Sequence, residues 1–299
     1  MPLPNFLILG APRAGTTSLY YWLAQHPDVF FSPIKEPHYF AIADGDRHHR
    51  AWCEPEFVRT RAQYEQLFIG SDRYSAIGEA STTYLQSPEA PARIADALGA
   101  SRVRLIAIVR NPADRAFSHY LDHRSDGAET IGKFRDAWLD APRRAAEQCR
   151  IDWDYLEPGQ YAKHIDNYSH FIPRESLKIV LFEDFVQQPG DVLAQICDHI
   201  GVDSSFEFDT SVRYNSSHHL PANAFQAFAA RRISSISKLI PSGVRTGMIE
   251  GVRSAVLRKP VLSDDDRAEL ISVYRSDIER LEEIIGRPLN HWLNPQLSD

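Results

Sequence analysis

Cysteine is scarce in this chain. Three occur among 299 residues, Cys53, Cys149 and Cys197, odd in number and far apart. That usage excludes a disulfide framework and a paired-cysteine metal motif, and it predicts a reduced, cytoplasmic setting. Long apolar runs are missing too. The first, Phe6-Leu7-Ile8-Leu9, falls far short of the ~20 residues that span a bilayer, and no later run reaches that length. The opening Met1-Pro-Leu-Pro-Asn5 lacks the basic stretch of a secretion signal, so no membrane span is expected. An excess of positive charge is also absent. The formal net charge is −7, which argues against nucleic acid as a partner. Internal repeats and low-complexity linkers are not found. What remains is ordinary for a globular protein, 43% hydrophobic and 24% charged, and long enough to bury a sizeable core.

Short aliphatic runs alternate with helix-like segments. The strand candidates are Phe6–Leu9, Val103–Val109, Leu177–Phe182 and the shorter Ala76–Gly78. The first three are apolar almost throughout rather than alternating, which predicts strands buried on both faces of a parallel sheet. Helical segments fill the gaps at Ser18–His26, Pro88–Leu98, Pro112–His123, Tyr161–Phe171, Asp191–Ile200 and Ser263–Ile285. Several carry start and stop signals, such as Pro112 at one start and Ser263 with three aspartates at another. The alternation predicts an α/β fold of three layers around a central, mostly parallel sheet. The chain reads as one domain over 1–299, with a flexible basic segment at about 213–260. Between Arg231 and Lys259 there are seven basic residues and one acidic, Glu250. That run is either a solvated basic face or a segment that closes over an anionic ligand.

The most telling absence is a single lysine. Gly10-Ala-Pro-Arg-Ala-Gly15-Thr-Thr-Ser-Leu19 lies between a strand and a helix and has the glycine spacing of a Walker A phosphate loop. Thr16 stands where that loop needs lysine, and Arg13 sits inside it instead. A strand–loop–helix junction of this kind turns backbone N–H groups and the positive end of the helix dipole toward an anion. ATP and GTP enzymes of this class also need an acidic residue to hold Mg²⁺. Here the strand Val103–Val109 runs into Arg110. The loop fits a nucleotide 5′-phosphate, but machinery for Mg²⁺ and a γ-phosphate is not evident.

A second strand–helix junction follows in Arg110-Asn-Pro-Ala-Asp-Arg-Ala-Phe-Ser118. Arg110 ends the strand and Ser118 lies about two turns into the helix. If this strand neighbours Phe6–Leu9, both face the crevice that Arg13 faces, since ligands of parallel sheets bind outside the strands' carboxyl ends. A second phosphate would then be held by a charged bond from Arg110 and a hydroxyl bond from Ser118. The competing reading of Arg110 is a surface ion pair with Asp114.

Together the two motifs resemble the sulfotransferase family that uses 3′-phosphoadenosine 5′-phosphosulfate (PAPS). Gly10–Leu19 resembles its 5′-phosphosulfate loop and Arg110–Ser118 its 3′-phosphate motif. The segments Gly78-Glu-Ala-Ser-Thr-Thr-Tyr84, Pro158-Gly-Gln-Tyr-Ala162 and Leu181-Phe-Glu-Asp-Phe185 are similar to recurring segments of its bacterial and heparan-type branch. The tail from Leu262 to Trp292 resembles the C-terminal helix of that branch. The resemblance implies a P-loop-type sandwich, PAPS as donor, 3′,5′-bisphosphoadenosine (PAP) as product and no required metal. It assigns donor binding to Arg13, Ala14, Gly15, Thr16, Thr17, Ser18, Arg110 and Ser118. The family's loop often has lysine at the position of Arg13. Arginine keeps the charge but donates no proton, so electrostatic stabilisation is the role expected of Arg13.

Transfer to a hydroxyl benefits from a general base. Ser32-Pro-Ile-Lys-Glu36-Pro-His38-Tyr-Phe40 offers two, Glu36 and His38, and residue chemistry alone does not choose between them. The heparan-type relatives place a catalytic glutamate ahead of an aromatic pair, which the resemblance carries to Glu36. Lys35, His38 and Glu79 are the acceptor-side candidates, with Glu79 either lining the cleft or buried beside a partner. Trp22, Tyr39 and Trp52 are candidate pocket walls, and Tyr161 a neighbour of the 3′-phosphate. His119 and His123, on the helix after Arg110, are weaker alternatives for the base and are expected simply to be exposed. The acceptor class is a carbohydrate, lipid or small metabolite; oligomeric state is not legible. Two alternatives stand beside this reading: a kinase-like phosphotransferase with a divergent P-loop, and a non-catalytic nucleotide-binding module.

Overall fold

The computed structural model describes residues 3–42, 58–148, 154–212 and 260–294. Trp52, Cys53, Cys149 and the basic run 231–259 lie outside them. The core is a sheet of β1 (Phe6–Gly10), β2 (Val29–Phe31), β3 (Ala76–Ala80), β4 (Arg104–Val109) and β5 (Leu177–Leu181). Its order is β2-β3-β1-β4-β5, and every neighbouring pair is parallel. All five residues of β1 and of β3 are buried. Successive strand residues point to opposite faces, so both faces are covered, which is the three-layer arrangement the apolar runs predict. The Phe6 ring of β1 packs directly over Gly78 of β3. Phe6 is paired with Gly78, and a Cβ on Gly78 would stand 2.3 Å from the Phe6 ring.

The chain adds β2 and β3 on one side of β1, then crosses to add β4 and β5 on the other. That reversal opens a crevice outside the carboxyl ends of β1 and β4. Two helices start there: α1 (Thr16–Leu23) after β1 and, after β4, the fifth in the chain, α5 (Pro112–Asp126). Between them come α2 (Tyr39–Ile42), α3 (Arg61–Gln66) and α4 (Ala90–Ile94), the last running into one π turn at Ala95–Gly99. Asn111 caps α5, its Oδ1 accepting from Ala113 N at 3.0 Å and Asp114 N at 3.3 Å, with Pro112 preset for the first turn.

The remaining helices are α6 (Phe134–Gln148), α7 (Tyr161–Ser169), α8 (Phe182–Gln187), α9 (Pro189–Ile200), α10 (Asp264–Ile285) and α11 (Asn290–Leu293). α7 has no side-chain cap of its own. Asp277 of α10 supplies one, accepting from Ala162 N at 3.1 Å and Lys163 N at 3.0 Å. Several boundaries shift by a few residues from expectation, and one changes element type: Phe182 opens α8 instead of closing β5. Glu183 and Asp184 follow it in the first turn, where acidic residues suit the helix dipole.

Candidate functional site

The loop after β1 is built as its glycines predict. Gly10 and Gly15 have φ of 141° and 92°, in the region where L side chains are strained. A Cβ on Gly15 would meet the Phe182 ring at 3.2 Å. Gly15 is the N-cap of α1 and brings no side-chain acceptor to it; such a helix start suits an anion. Thr16 and Ser18 are buried and Thr17 half-buried. Arg13 is not glycine yet has φ of 66°, which turns its side chain toward α5. There its Nε lies 3.5 Å from Ser118 Oγ, and its guanidinium pairs with Asp122 at 3.2 Å.

Arg110 closes the other side of the crevice. Its guanidinium donates to the Arg13 carbonyl at 3.2 Å and lies 4.8 Å above the Phe182 ring. Its backbone N–H donates to the Tyr161 hydroxyl at 3.4 Å. The ion pair weighed for Arg110 is not formed, because Asp114 binds Arg267 at 2.7 Å. Burial lowers the Arg13 guanidinium from its usual range; Asp122 offsets this, while Arg110 and Arg115 add to it. Burial likewise lowers Arg110. Buried cations that raise one another's energy are stabilised by an incoming polyanion.

The third component is the segment after β2. Glu36 and His38 have φ of 64° and 56°. With Arg13 they are the three non-glycine residues with left-handed backbone among the described residues, a conformation that costs about 1 to 3 kcal/mol each. The end of β3 holds them there. Glu36 N donates to the Ala80 carbonyl at 2.9 Å, and His38 N to Ser81 Oγ at 3.0 Å. The Glu36 carboxylate touches Lys35 Nζ at 2.5 Å, Thr82 Oγ1 at 3.0 Å and His38 Nε2 at 3.5 Å. Burial alone would raise the Glu36 carboxyl. Lys35, His38 and the Thr82 bond outweigh it and hold the group below the usual carboxylate range. His38 goes the other way, pushed by burial down to about 4. Its Nδ1 lies 2.8 Å from Thr83 Oγ1.

This geometry sorts the candidates. Glu36 keeps 30% of its side chain exposed against 8% for His38, so Glu36 is the more accessible of the two. Lys35 and His38 flank it. Glu79 does not line the cleft: it is fully buried, bonded to Tyr64 and Ser81. Trp22 belongs to the core, packed on Phe185 at 5.0 Å. Tyr39 stacks on Tyr64 at 4.5 Å. His119 and His123 are buried rather than exposed. Arg115 stands 3.5 Å from His119, and the Tyr155 hydroxyl 3.2 Å from His123, so this inner face of α5 is a polar core. Three contributors escaped the sequence reading. Asp122 is signalled by its i, i+4 spacing from Ser118. Thr82 lies in the Gly78–Tyr84 segment, and Phe182 in Leu181–Phe185.

The chain is thus a parallel P-loop-type α/β fold with Arg13 and Arg110 joined at the carboxyl ends of β1 and β4. The model of the sulfotransferase family matches residues 4–207, and the chain belongs to that family. The human bifunctional heparan sulfate N-deacetylase/N-sulfotransferase 3 is 28% identical over 309 residues, covering 99% of this chain and 32% of the relative. The mouse heparan sulfate glucosamine 3-O-sulfotransferase 3B1 is 29% identical over 200 residues, 67% of this chain and 46% of the relative. The chain thus spans about a third to a half of these relatives. Among solved structures, a sulfotransferase from Alicyclobacillus acidocaldarius superimposes with a TM-score of 0.75 at 29% identity, covering 98% of this chain and 100% of that one.

Proposed function

We propose that this protein is an O-sulfotransferase that takes its sulfuryl group from PAPS, with a carbohydrate as the first acceptor class to test. The observation that carries the reading is the junction of the two half-sites. Arg110 bonds the Arg13 carbonyl at 3.2 Å, and the Arg13 side chain reaches Ser118 at 3.5 Å. One ligand with anionic groups at both ends fits such a crevice. Its residues suit PAPS: the helix start and Arg13 for the 5′-phosphosulfate, Arg110 and Ser118 for the 3′-phosphate. Carbohydrate is favoured because both relatives above are named for heparan sulfate.

The donor supplies an activated sulfur and a phosphate leaving group. This chain's residues do the rest by placement and charge. Glu36 takes the acceptor hydroxyl proton as the acceptor oxygen–sulfur bond forms. The bond from sulfur to the 5′-phosphate oxygen breaks, and PAP leaves with its charge held by Arg13 and the loop N–H groups. Lys35, 2.5 Å from Glu36, keeps that carboxylate ionised.

Titration calorimetry with PAP in EDTA should show binding without Mg²⁺. Arg110→Ala should weaken it by more than about 1.5 kcal/mol, the scale of a lost charged hydrogen bond. Mass spectrometry of sugar hydroxyl and amine acceptors incubated with PAPS should show added sulfate on a hydroxyl. No PAP binding at millimolar ligand sinks the reading, and sulfate found only on nitrogen replaces O-transfer with N-transfer.

A further inference from the structure

Glu79 is a candidate the mechanism leaves without a task, and its surroundings give it one. It lies on β3 opposite Leu7 of β1, in a strand buried at every position. A carboxyl group there costs stability that an apolar side chain would not. Three hydroxyls converge on it. Tyr64 donates to Oε1 at 3.1 Å, Ser81 to Oε2 at 2.9 Å, and Tyr84 also bonds the carboxylate. Two of them do a second job. Ser81 Oγ accepts the His38 N–H at 3.0 Å, and the Tyr84 hydroxyl accepts the Phe40 N–H at 3.3 Å. A hydroxyl has one proton to donate. Spending it on Glu79 turns the oxygen lone pairs of Ser81 and Tyr84 toward the backbone of 38–40.

We propose that Glu79 is a positioning residue that, through Ser81 and Tyr84, holds the left-handed Glu36–His38 backbone and so aims the Glu36 carboxylate at the acceptor. It touches neither donor nor acceptor. This inference rests on the reading of Glu36 as the base. Tyr64 is an internal control, because it bonds Glu79 while its ring, not its hydroxyl, meets Tyr39 and Phe40.

The test compares Glu79→Gln, Ser81→Ala, Tyr84→Phe and Tyr64→Phe with wild type and Glu36→Gln. Amide hydrogen exchange of the peptide over 36–40 is read first, since it needs no acceptor. PAP affinity and sulfuryl transfer from PAPS, to an acceptor or slowly to water, are read beside it. Ser81→Ala and Tyr84→Phe should speed exchange at 36–40 and lower kcat about tenfold or more, with PAP affinity kept within about twofold. Tyr64→Phe should keep exchange at 36–40 and kcat near wild type. Should Glu79→Gln fail to fold, the two hydroxyl variants still decide. Unchanged exchange at 36–40, faster exchange with undiminished kcat, or an equal loss in Tyr64→Phe overturns the positioning role. Full activity in Glu36→Gln instead overturns the base assignment, with the exchange result still standing for the backbone.

Discussion

A carboxylate serves as a base when it is ionised, reachable and aimed, and Glu36 meets these conditions through different neighbours. Lys35 keeps it ionised, 30% of its side chain stays exposed, and its left-handed backbone aims it. Glu36→Gln should lower kcat by roughly 100-fold or more, the usual share of general-base catalysis. PAP affinity by calorimetry should stay near wild type. Because its pKa lies below the usual carboxylate range, the acid limb of the kcat profile should fall below pH 4.5. Glu79 shows the opposite shift. Burial raises it to about 7, against the pull of its hydroxyl bonds. A carboxyl with a raised folded-state pKa favours the folded protein below the unfolded value. That contribution is lost as pH rises from 4.5 toward 7, with a slope of at most about 1.4 kcal/mol per pH unit. Urea unfolding at pH 5 and pH 8 should show the decline, and Glu79→Gln should flatten it. The sequence narrowed the base to Glu36 and His38 because both residue types move protons. Residue chemistry alone did not separate them, and only the resemblance pointed to Glu36, because their difference is exposure, set by strand β3 some 40 residues away.

At the scale of elements, the legible signals were those with local causes. Pro112 at the start of α5, and Ser263 with its three aspartates at the start of α10, lie where the sequence marks them. Ser263 Oγ accepts from Asp266 N at 3.2 Å, so Ser263→Ala should cost about 1 kcal/mol, read as a lower urea midpoint with PAP affinity unchanged. Signals that depend on tertiary partners were not legible. Phe182 reads as the end of an apolar strand, yet opens a helix whose ring fills the gap between Gly15 and Arg110. His119 and His123 read as polar helix residues, and Tyr155, brought against both rings by the fold, helps make that face an interior one.

Over the whole molecule, β1 is the strand on which both halves depend. It pairs with β3, which holds the Glu36–His38 segment, and with β4, which runs into Arg110. Its fit to β3 has no slack at Phe6 and Gly78. Gly78→Ala should therefore cost about 1 to 3 kcal/mol by overpacking, measured as a fall in melting temperature that saturating PAP partly reverses. The closing contacts of the fold come from α11. The Trp292 indole donates to Glu183 Oε1 at 2.8 Å, and its carbonyl accepts from Asn111 Nδ2 at 3.4 Å. Asn111 adjoins Arg110, and Glu183 adjoins the Phe182 ring beneath it. Trp292, 181 positions beyond Asn111 in the chain, thus straps the neighbours of Arg110 and Phe182 together, so that two segments far apart in sequence are clamped by one side chain and its own backbone.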